Sequence, residues 1–297
     1  MTAIIDELGQ LEAPLLKRLL IATCSDHTRR DWVLKPFGGD ACKLEVLHIT
    51  HGKRNWHPSL LRNLTSLELG TLWMYGIRCK WHITVFEILT TLAQTPRLQR
   101  LRIHSEPELG LPWTSAQIML AELNEFKLNS MRGAWRKALI HQIVAPKLRC
   151  ITCDDTPTLF SPSMVMSLAQ CRIFPLPELQ ELYLGSTGLG DTLCRDNFTF
   201  LLEQFPQLRD LTICASTLDE AAFNGLSTRF PNLHKLKIIG ISHELESAIL
   251  RKMALARVGD PILSQLSVLQ VYSSTKGLRK EDTVWFEANV RDFTWHL

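Results

Sequence analysis

A short pattern of hydrophobic positions, Leu-x-x-Leu-x-Ile with other apolar residues substituting in places, recurs along the whole chain. Its first position falls at Leu16, Leu44, Leu64, Leu98, Leu123, Leu148, Leu179, Leu208, Leu233 and Leu266. Because alternate residues of a strand point to opposite sides, each copy predicts a short strand that buries its three apolar positions and exposes the residues between them. The pattern therefore predicts ten strands.

Prolines and helical periodicity indicate what lies between these strands. Pro96, Pro146, Pro206 and Pro231 each stand two residues before a first leucine. Proline cannot continue a helix and pushes the preceding residue toward extended geometry, so it marks a helix-to-strand turn. The periodicity predicts helices over 81–94, 161–169, 191–204 and 243–256, and one capped by Thr217. In the first of these helices we expect Val85, Phe86, Leu89 and Leu92 to share one apolar face.

Alternating strands and helices at a mean interval of about 28 residues are typical of leucine-rich repeats, in which each repeat buries its apolar side against the next. The predicted fold is an α/β leucine-rich-repeat solenoid, a horseshoe with a parallel concave sheet of about ten strands and helices on the convex side. We expect one domain over residues 1–297, with repeats at about 14–272. A C-terminal cap at about 275–297 would contain a helix from Arg279 and a closing strand over 290–296.

Composition and charge narrow the class of partner. The 33 Lys and Arg residues against 30 Asp and Glu leave a formal charge of +3, too balanced to predict nucleic-acid binding. The first residues carry Asp6 and Glu7 where an export signal would be basic, and no uncharged stretch suits a membrane helix. The eight cysteines are too sparse for a disulfide scaffold. We therefore expect reduced thiols and a cytoplasmic or nuclear location, with no membrane partner.

Three sequence features resemble sites of chemistry, and each has a simpler interpretation. Cys150 and Cys153 have the spacing of half a zinc or redox site, but one strand places them on opposite faces. The glycine-rich stretch 185–190 does not match a nucleotide-binding loop and lies where a repeat turns. His48, His51 and His57 fit an exposed polar loop. We expect no enzymatic activity, no catalytic residue, no metal and no cofactor.

The outward positions of the predicted strands are the better candidates for function. Arg100, Arg102 and Lys127 form a predicted basic centre, with His104 just beyond; Glu181 and Asp210 form an acidic step beside Tyr183; Lys235 and Lys237 are basic again. Such a charge pattern favours one orientation of a partner, and Arg and Tyr are common interface anchors. Without His104, these eight residues are the predicted binding site for a protein partner on the concave face.

The stretches 92–103 (LAQTPRLQRLRI), 179–184 (LQELYL) and 281–286 (EDTVWF) together resemble the leucine-rich region of fungal F-box proteins. The resemblance implies the substrate receptor of a ubiquitin ligase, in which the repeats bind substrate and an F-box binds a Skp1-type adaptor. No F-box precedes the repeats in this chain, so the adaptor is an expected partner only if one exists upstream. The alternative is a stand-alone scaffold or regulatory protein with no ubiquitin role.

Overall fold

The structure is a computed structural model, and it describes residues 13, 15–22, 32–34, 43–50, 54–56, 58–70, 83–104, 117–129, 133–154, 176–185, 205–214, 220–228, 230–241, 247–258, 260–273 and 277–296. The chain separates into two compact units, unit 1 over Met1–Leu148 and unit 2 over Arg149–Leu297. The prediction of one repeat domain over 1–297 stays a prediction.

Unit 1 is built around five parallel strands. In chain order its described elements are β1 (Arg18–Ala22), β2 (Trp32–Leu34), β3 (Val46–Thr50), β4 (Arg54–Trp56), α1 (Pro58–Leu61), β5 (Ser66–Gly70), α2 (Val85–Leu92), β6 (Arg100–His104), β7 (Ile118–Met119), β8 (Glu125–Asn129), α3 (Gly133–Gln142) and β9 (Ile143–Val144). The main sheet has the order β1-β3-β5-β6-β8, with every described pair parallel. Two small parallel pairs, β2 with β4 and β7 with β9, lie outside it.

Unit 2 repeats this arrangement with six parallel strands. Its described elements are β10 (Cys150–Asp154), β11 (Glu181–Leu184), β12 (Asp210–Cys214), α4 (Glu220–Thr228), β13 (Lys235–Ile241), α5 (Ser247–Arg257), β14 (Val268–Ser273), α6 (Lys280–Asn289) and β15 (Asp292–His296). The strands pair in chain order from β10 to β15. A register shift between Ile239 and Ile241 is opened by Gly240, whose positive φ of 77° suits a residue without a side chain.

All ten strands predicted from the leucine pattern are present. Each begins two residues after the first leucine of its copy, as Leu98 precedes Arg100 and Leu208 precedes Asp210. The predicted closing strand is also present, as β15. The protein is thus an α/β chain whose described strands pair in parallel, and the leucine pattern located ten of them; β2, β4, β7 and β9 were not predicted.

A common backbone turn leads into most of the strands. The N–H of the first leucine donates to the carbonyl three residues earlier, as in Leu98 to Thr95 and Leu208 to Phe205, at 3.1 Å in both cases. A proline follows that carbonyl residue in most of these turns, in the position where its fixed φ fits, whereas Leu61 and Leu120 form the same turn without one. One carbonyl of the preceding repeat then accepts two N–H groups of the next, as the carbonyl of Thr65 does from Gln99 and Arg100. Where a proline is present, its fixed φ therefore favours the turn that begins the strand.

The apolar positions of the pattern form the core of each unit. In β6, Leu101 and Ile103 are fully buried while the residues between them are half-buried or exposed, and β11 and β14 alternate in the same way. The first leucines, such as Leu98 and Leu233, are also buried, except Leu16, which is half-buried. At about 2 kcal/mol for burying each such side chain, these rows are the main source of stability.

The described helices agree with the predictions in part. α2, α5 and α6 lie where helices were predicted, and α4 follows Thr217, which is outside the described residues together with 161–169 and 191–204. The placement of Phe86 on the apolar face of α2 was wrong, since its side chain is 50% exposed. Val85, Ile88, Leu89 and Leu92 form the buried stripe at helical spacing, and Phe86 lies off it. A capping box between Thr84 and Glu87 begins this helix.

A buried arginine holds together one helix-to-strand connection of unit 2. Arg257, at the end of α5, is 1% exposed. Its guanidinium donates to four backbone carbonyls, those of Ser264 (3.0 Å), Leu226 (3.1 Å), Phe230 (2.7 Å) and Leu233 (3.1 Å). Burial lowers the pKa of Arg257 to about 10, which Asp260 partly opposes, so the side chain stays protonated at neutral pH. The charge is retained because four acceptors surround it.

Candidate functional site

The polar face of each sheet carries the predicted binding residues. Three of them, Arg100, Arg102 and Lys127, lie in unit 1, and the other five, Glu181, Tyr183, Asp210, Lys235 and Lys237, lie in unit 2. In each unit these residues occupy the positions between buried apolar residues, so they are half-buried or exposed. Because neighbouring parallel strands are about 4.8 Å apart, residues in register on this face can contact one another.

In unit 1 the predicted basic centre includes carboxylates as well as cations. Arg102 lies opposite Lys127 in the register of β6 and β8, and Arg100 lies opposite Glu125. Rather than face the like charge, Arg102 reaches diagonally to Glu125, donating to one carboxylate oxygen from Nε at 3.0 Å and from Nη2 at 2.7 Å. Among the described residues, Arg100 and Lys127 form no side-chain hydrogen bond or ion pair. Part of the predicted positive charge is therefore neutralised within the face.

A histidine network lies beside this ion pair, formed by His48, Glu68, His104 and Asn129 of β3, β5, β6 and β8. His104 Nε2 is 2.9 Å from Glu68 Oε1, and its Nδ1 is 3.0 Å from Asn129 Nδ2. His48 Nε2 lies 3.7 Å from the same Glu68 oxygen. Burial lowers the pKa of His104, an effect that Glu68 opposes and that Lys127 and His48 reinforce. His104 is therefore held neutral at pH 7.

A glycine makes room for the central histidine. Gly70 lies opposite His104 in the register of β5 and β6. A Cβ placed on Gly70 would come within 2.6 Å of His104 Cβ, closer than two such atoms can lie. Any larger residue at this position would displace His104 from Glu68 and Asn129. The histidine network thus depends on the absence of a side chain at residue 70.

In unit 2 the predicted charges stand in register on consecutive strands. Glu181 of β11 lies opposite Asp210 of β12, and Asp210 lies opposite Lys235 of β13. Within the described part of unit 2, Glu181, Asp210 and Lys235 form no side-chain hydrogen bond or ion pair. Two like charges side by side destabilise a sheet slightly, and no carboxylate–cation contact within the described face offsets this. These side chains are therefore open to a partner.

An aromatic contact extends the face of unit 2 beyond the predicted residues. Lys237 Nζ lies 4.7 Å from the centre of the Tyr272 ring, and that ring stacks on His296 with centroids 4.5 Å apart. Tyr272 and His296 lie opposite each other on β14 and β15. Neither was predicted as a contact: Tyr272 stands one residue past the six-residue pattern, and His296 lies on the closing strand, which no first leucine precedes. Extending the pattern by one outward position would have found Tyr272 and Asn129, as it does His104.

The other candidate chemistry is explained by the strands or lies outside the described residues. Cys153 is fully buried and Cys150 half-buried, both as reduced thiols, in agreement with opposite faces of β10. In the described ranges, no group of three or more His, Cys, Asp or Glu side chains is arranged for a metal ion. Of the glycine-rich stretch only Gly185 is described; His51 and His57 are not.

The sequence matches no protein-family model, and no curated protein gives a significant match. Within the part of the chain that the structure describes, no helix is both long and apolar enough to span a membrane. What the chain binds has therefore to be inferred from its own polar faces.

Proposed function

We propose that this protein is a protein–protein interaction module of the leucine-rich-repeat class, which binds a partner protein through the polar face of its parallel strands. The observation that carries the proposal is the row of charged side chains Glu181, Asp210 and Lys235. They lie in register on three neighbouring strands and have no side-chain partner among the described residues. A charged row without internal ion pairs suits recognition, because its charges can pair with a partner without first breaking internal contacts.

The leucine-rich-repeat class is supported by the repeated unit itself. Ten strands begin at the same position of the same pattern, and most follow the same turn. In such proteins the polar sheet face would be the concave face of a solenoid. By resemblance to fungal F-box proteins, the partner would be a substrate to be ubiquitinated, and the cellular location cytoplasmic or nuclear. A stand-alone scaffold without a ubiquitin role is the alternative.

The test is affinity capture with a charge-reversed face. Purified wild-type protein, a Glu181→Lys/Asp210→Lys variant and a Glu281→Lys/Glu287→Lys control are immobilised, and bound cellular proteins are quantified by mass spectrometry. The control makes the same charge change at two exposed positions of α6, away from the sheet face. We expect at least one protein to be retained by the wild type and the control, and to fall about tenfold or more with the face variant. Equal capture by all three would overturn the proposal.

The ubiquitin role is tested separately, on the natural full-length product of the gene. Recovery of a Skp1-type adaptor with that product supports the F-box-type substrate receptor. Recovery of a face-dependent partner without the adaptor supports the stand-alone scaffold.

A further inference from the structure

The histidine network of unit 1 contains a proton whose position is dictated by its neighbours. Ionised Glu68 can only accept a hydrogen bond. His104 Nε2, which lies 2.9 Å from Glu68 Oε1, must therefore carry a hydrogen. The protonation state of His104 is then decided at Nδ1, the ring nitrogen that faces Asn129.

Asn129 discriminates between the two states of that nitrogen. Its amide nitrogen Nδ2 lies 3.0 Å from His104 Nδ1, and an amide N–H can only donate, so Nδ1 must be an unprotonated acceptor. The other end of the amide, Oδ1, is buried and accepts no hydrogen bond from any described residue. If Nδ1 took up a proton, two donors would face each other until the amide turned and presented Oδ1 instead.

The charged groups around His104 divide into two sets. Glu68 on β5 favours the protonated ring, whereas His48 on β3 and Lys127 on β8 disfavour it. Arg102, on the same strand as His104, is paired with Glu125 of β8. Burial is the largest influence and favours the neutral ring. Burial and the hydrogen bond from Asn129 therefore both favour the neutral form of His104.

We propose that Asn129 is a proton lock that regulates the binding face. It holds His104 neutral by donating to Nδ1, and proton uptake from solvent at Nδ1 requires its amide to rotate. When His104 is protonated, the sheet face of unit 1 gains a positive charge near Lys127. Acidification would then strengthen the attraction for carboxylates of a partner and weaken that for basic groups. The partner's response rests on the proposed function, whereas the lock itself is a property of the free protein.

The protonation of His104 also makes the stability of the folded protein depend on pH. The folded protein holds the pKa of His104 below the ordinary value of 6.5 that applies when the chain is unfolded. Between these two pKa values the unfolded chain therefore binds more protons than the folded protein. The stabilisation that His104 confers is complete above pH 6.5 and is lost as the pH falls through the lowered folded-state value.

The test is nitrogen-15 NMR of the histidine rings in the free protein during a pH titration. At pH 7.5 we expect the chemical shifts of His104 to show hydrogen on Nε2 and none on Nδ1, and a titration midpoint below 6.5. In Asn129→Asp, a carboxylate replaces the amide and can only accept, so the midpoint of His104 should move to higher pH. Asn124→Asp adds the same charge in the same repeat, outside the network, and should move it much less.

Three results would overturn the lock. They are hydrogen on Nδ1 at neutral pH, a wild-type midpoint at or above 6.5, and equal displacement of the midpoint by the two aspartate variants. If Asn129→Asp does not fold, Asn129→Ser replaces it. A hydroxyl can either donate or accept, so the midpoint should again rise, and an unchanged midpoint contradicts the proposal. Because no partner enters this titration, its outcome is independent of the capture experiment.

Discussion

The two units use the same repeat but place their polar interactions differently. In unit 1 several of them lie on the sheet face, where Arg102 binds Glu125 and His104 binds Glu68 and Asn129. In unit 2 the strong ones lie among the helices and connections. There Arg257 binds four carbonyls, and Ser247 donates to Asp282. On the sheet face of unit 2, Glu181, Asp210 and Lys235 lack side-chain partners in the described residues.

This difference separates two roles that a repeat's outward positions can serve. Paired side chains fix the position and protonation of their neighbours, so they make a face ordered and selective. Unpaired charges contribute little to folding, so their value lies in what they can bind. We infer that the face of unit 1 is regulated from within and that the face of unit 2 is the stronger attachment point.

The largest expected effect is on the free energy of unfolding, and it shows whether unit 2 depends on the hydrogen bonds of Arg257. Arg257→Met should lower the free energy of unfolding by about 3 kcal/mol or more, because it leaves several buried carbonyls without a donor. Arg257→Lys should not restore the loss, since one ammonium cannot reach all four acceptors. Arg251→Met on the same helix should cost about 1 kcal/mol or less, because its ion pair with Asp282 is 3.8 Å long and partly exposed. Urea unfolding measures all three; equal losses at positions 251 and 257 would refute this interpretation.

An intermediate effect compares the two faces directly. A double-mutant cycle of Arg102→Gln and Glu125→Gln should give a coupling energy of about 0.5–1 kcal/mol. Arg102 donates two hydrogen bonds to Glu125, and the pair is partly buried. The same cycle on Asp210→Asn and Lys235→Gln should give a coupling near zero, since these side chains are in register but form no ion pair. Added salt should reduce the first coupling. A larger coupling in unit 2 than in unit 1 would reverse the comparison.

The smallest effect concerns the adjacent carboxylates of unit 2. Glu181→Gln removes one of two like charges in register and should raise the free energy of unfolding by about 0.3 kcal/mol. Glu68→Gln, the same change on the face of unit 1, should lower it, because His104 loses a charged acceptor. Thermal unfolding of the two variants in parallel measures this contrast. A loss of stability in Glu181→Gln would indicate that Glu181 has a structural partner.

The leucine pattern was sufficient to locate the ten repeat strands because burial of their apolar positions dominates the local choice of structure, but it missed the small pairs β2 with β4 and β7 with β9. It did not predict α3, whose buried residues in the described part, Ala138, Leu139 and Ile140, are consecutive. It also placed Phe86 in the core, because neighbouring apolar residues were assigned to one face. These errors arise where apolar residues adjoin and the period is ambiguous.

The site could be predicted only as far as single positions allow. The outward residues were correctly identified as outward, but their pairing depends on register between strands distant in sequence. Glu68 and His104 are 36 residues apart, and their contact is diagonal across Gly70. Arg257 leaves no signal at all, because its partners are backbone carbonyls and any sequence supplies those.

The turn shared by most of the strands has an evolutionary consequence. A strand's start is set by a hydrogen bond spanning three residues and by a carbonyl of the preceding repeat, and not by the length of what lies between. The intervals between first leucines accordingly range from 20 to 34 residues. Segments between strands can therefore lengthen, shorten or diverge without disturbing the register of the sheet. Selection is free to rebuild the connections of this protein while its face keeps its geometry.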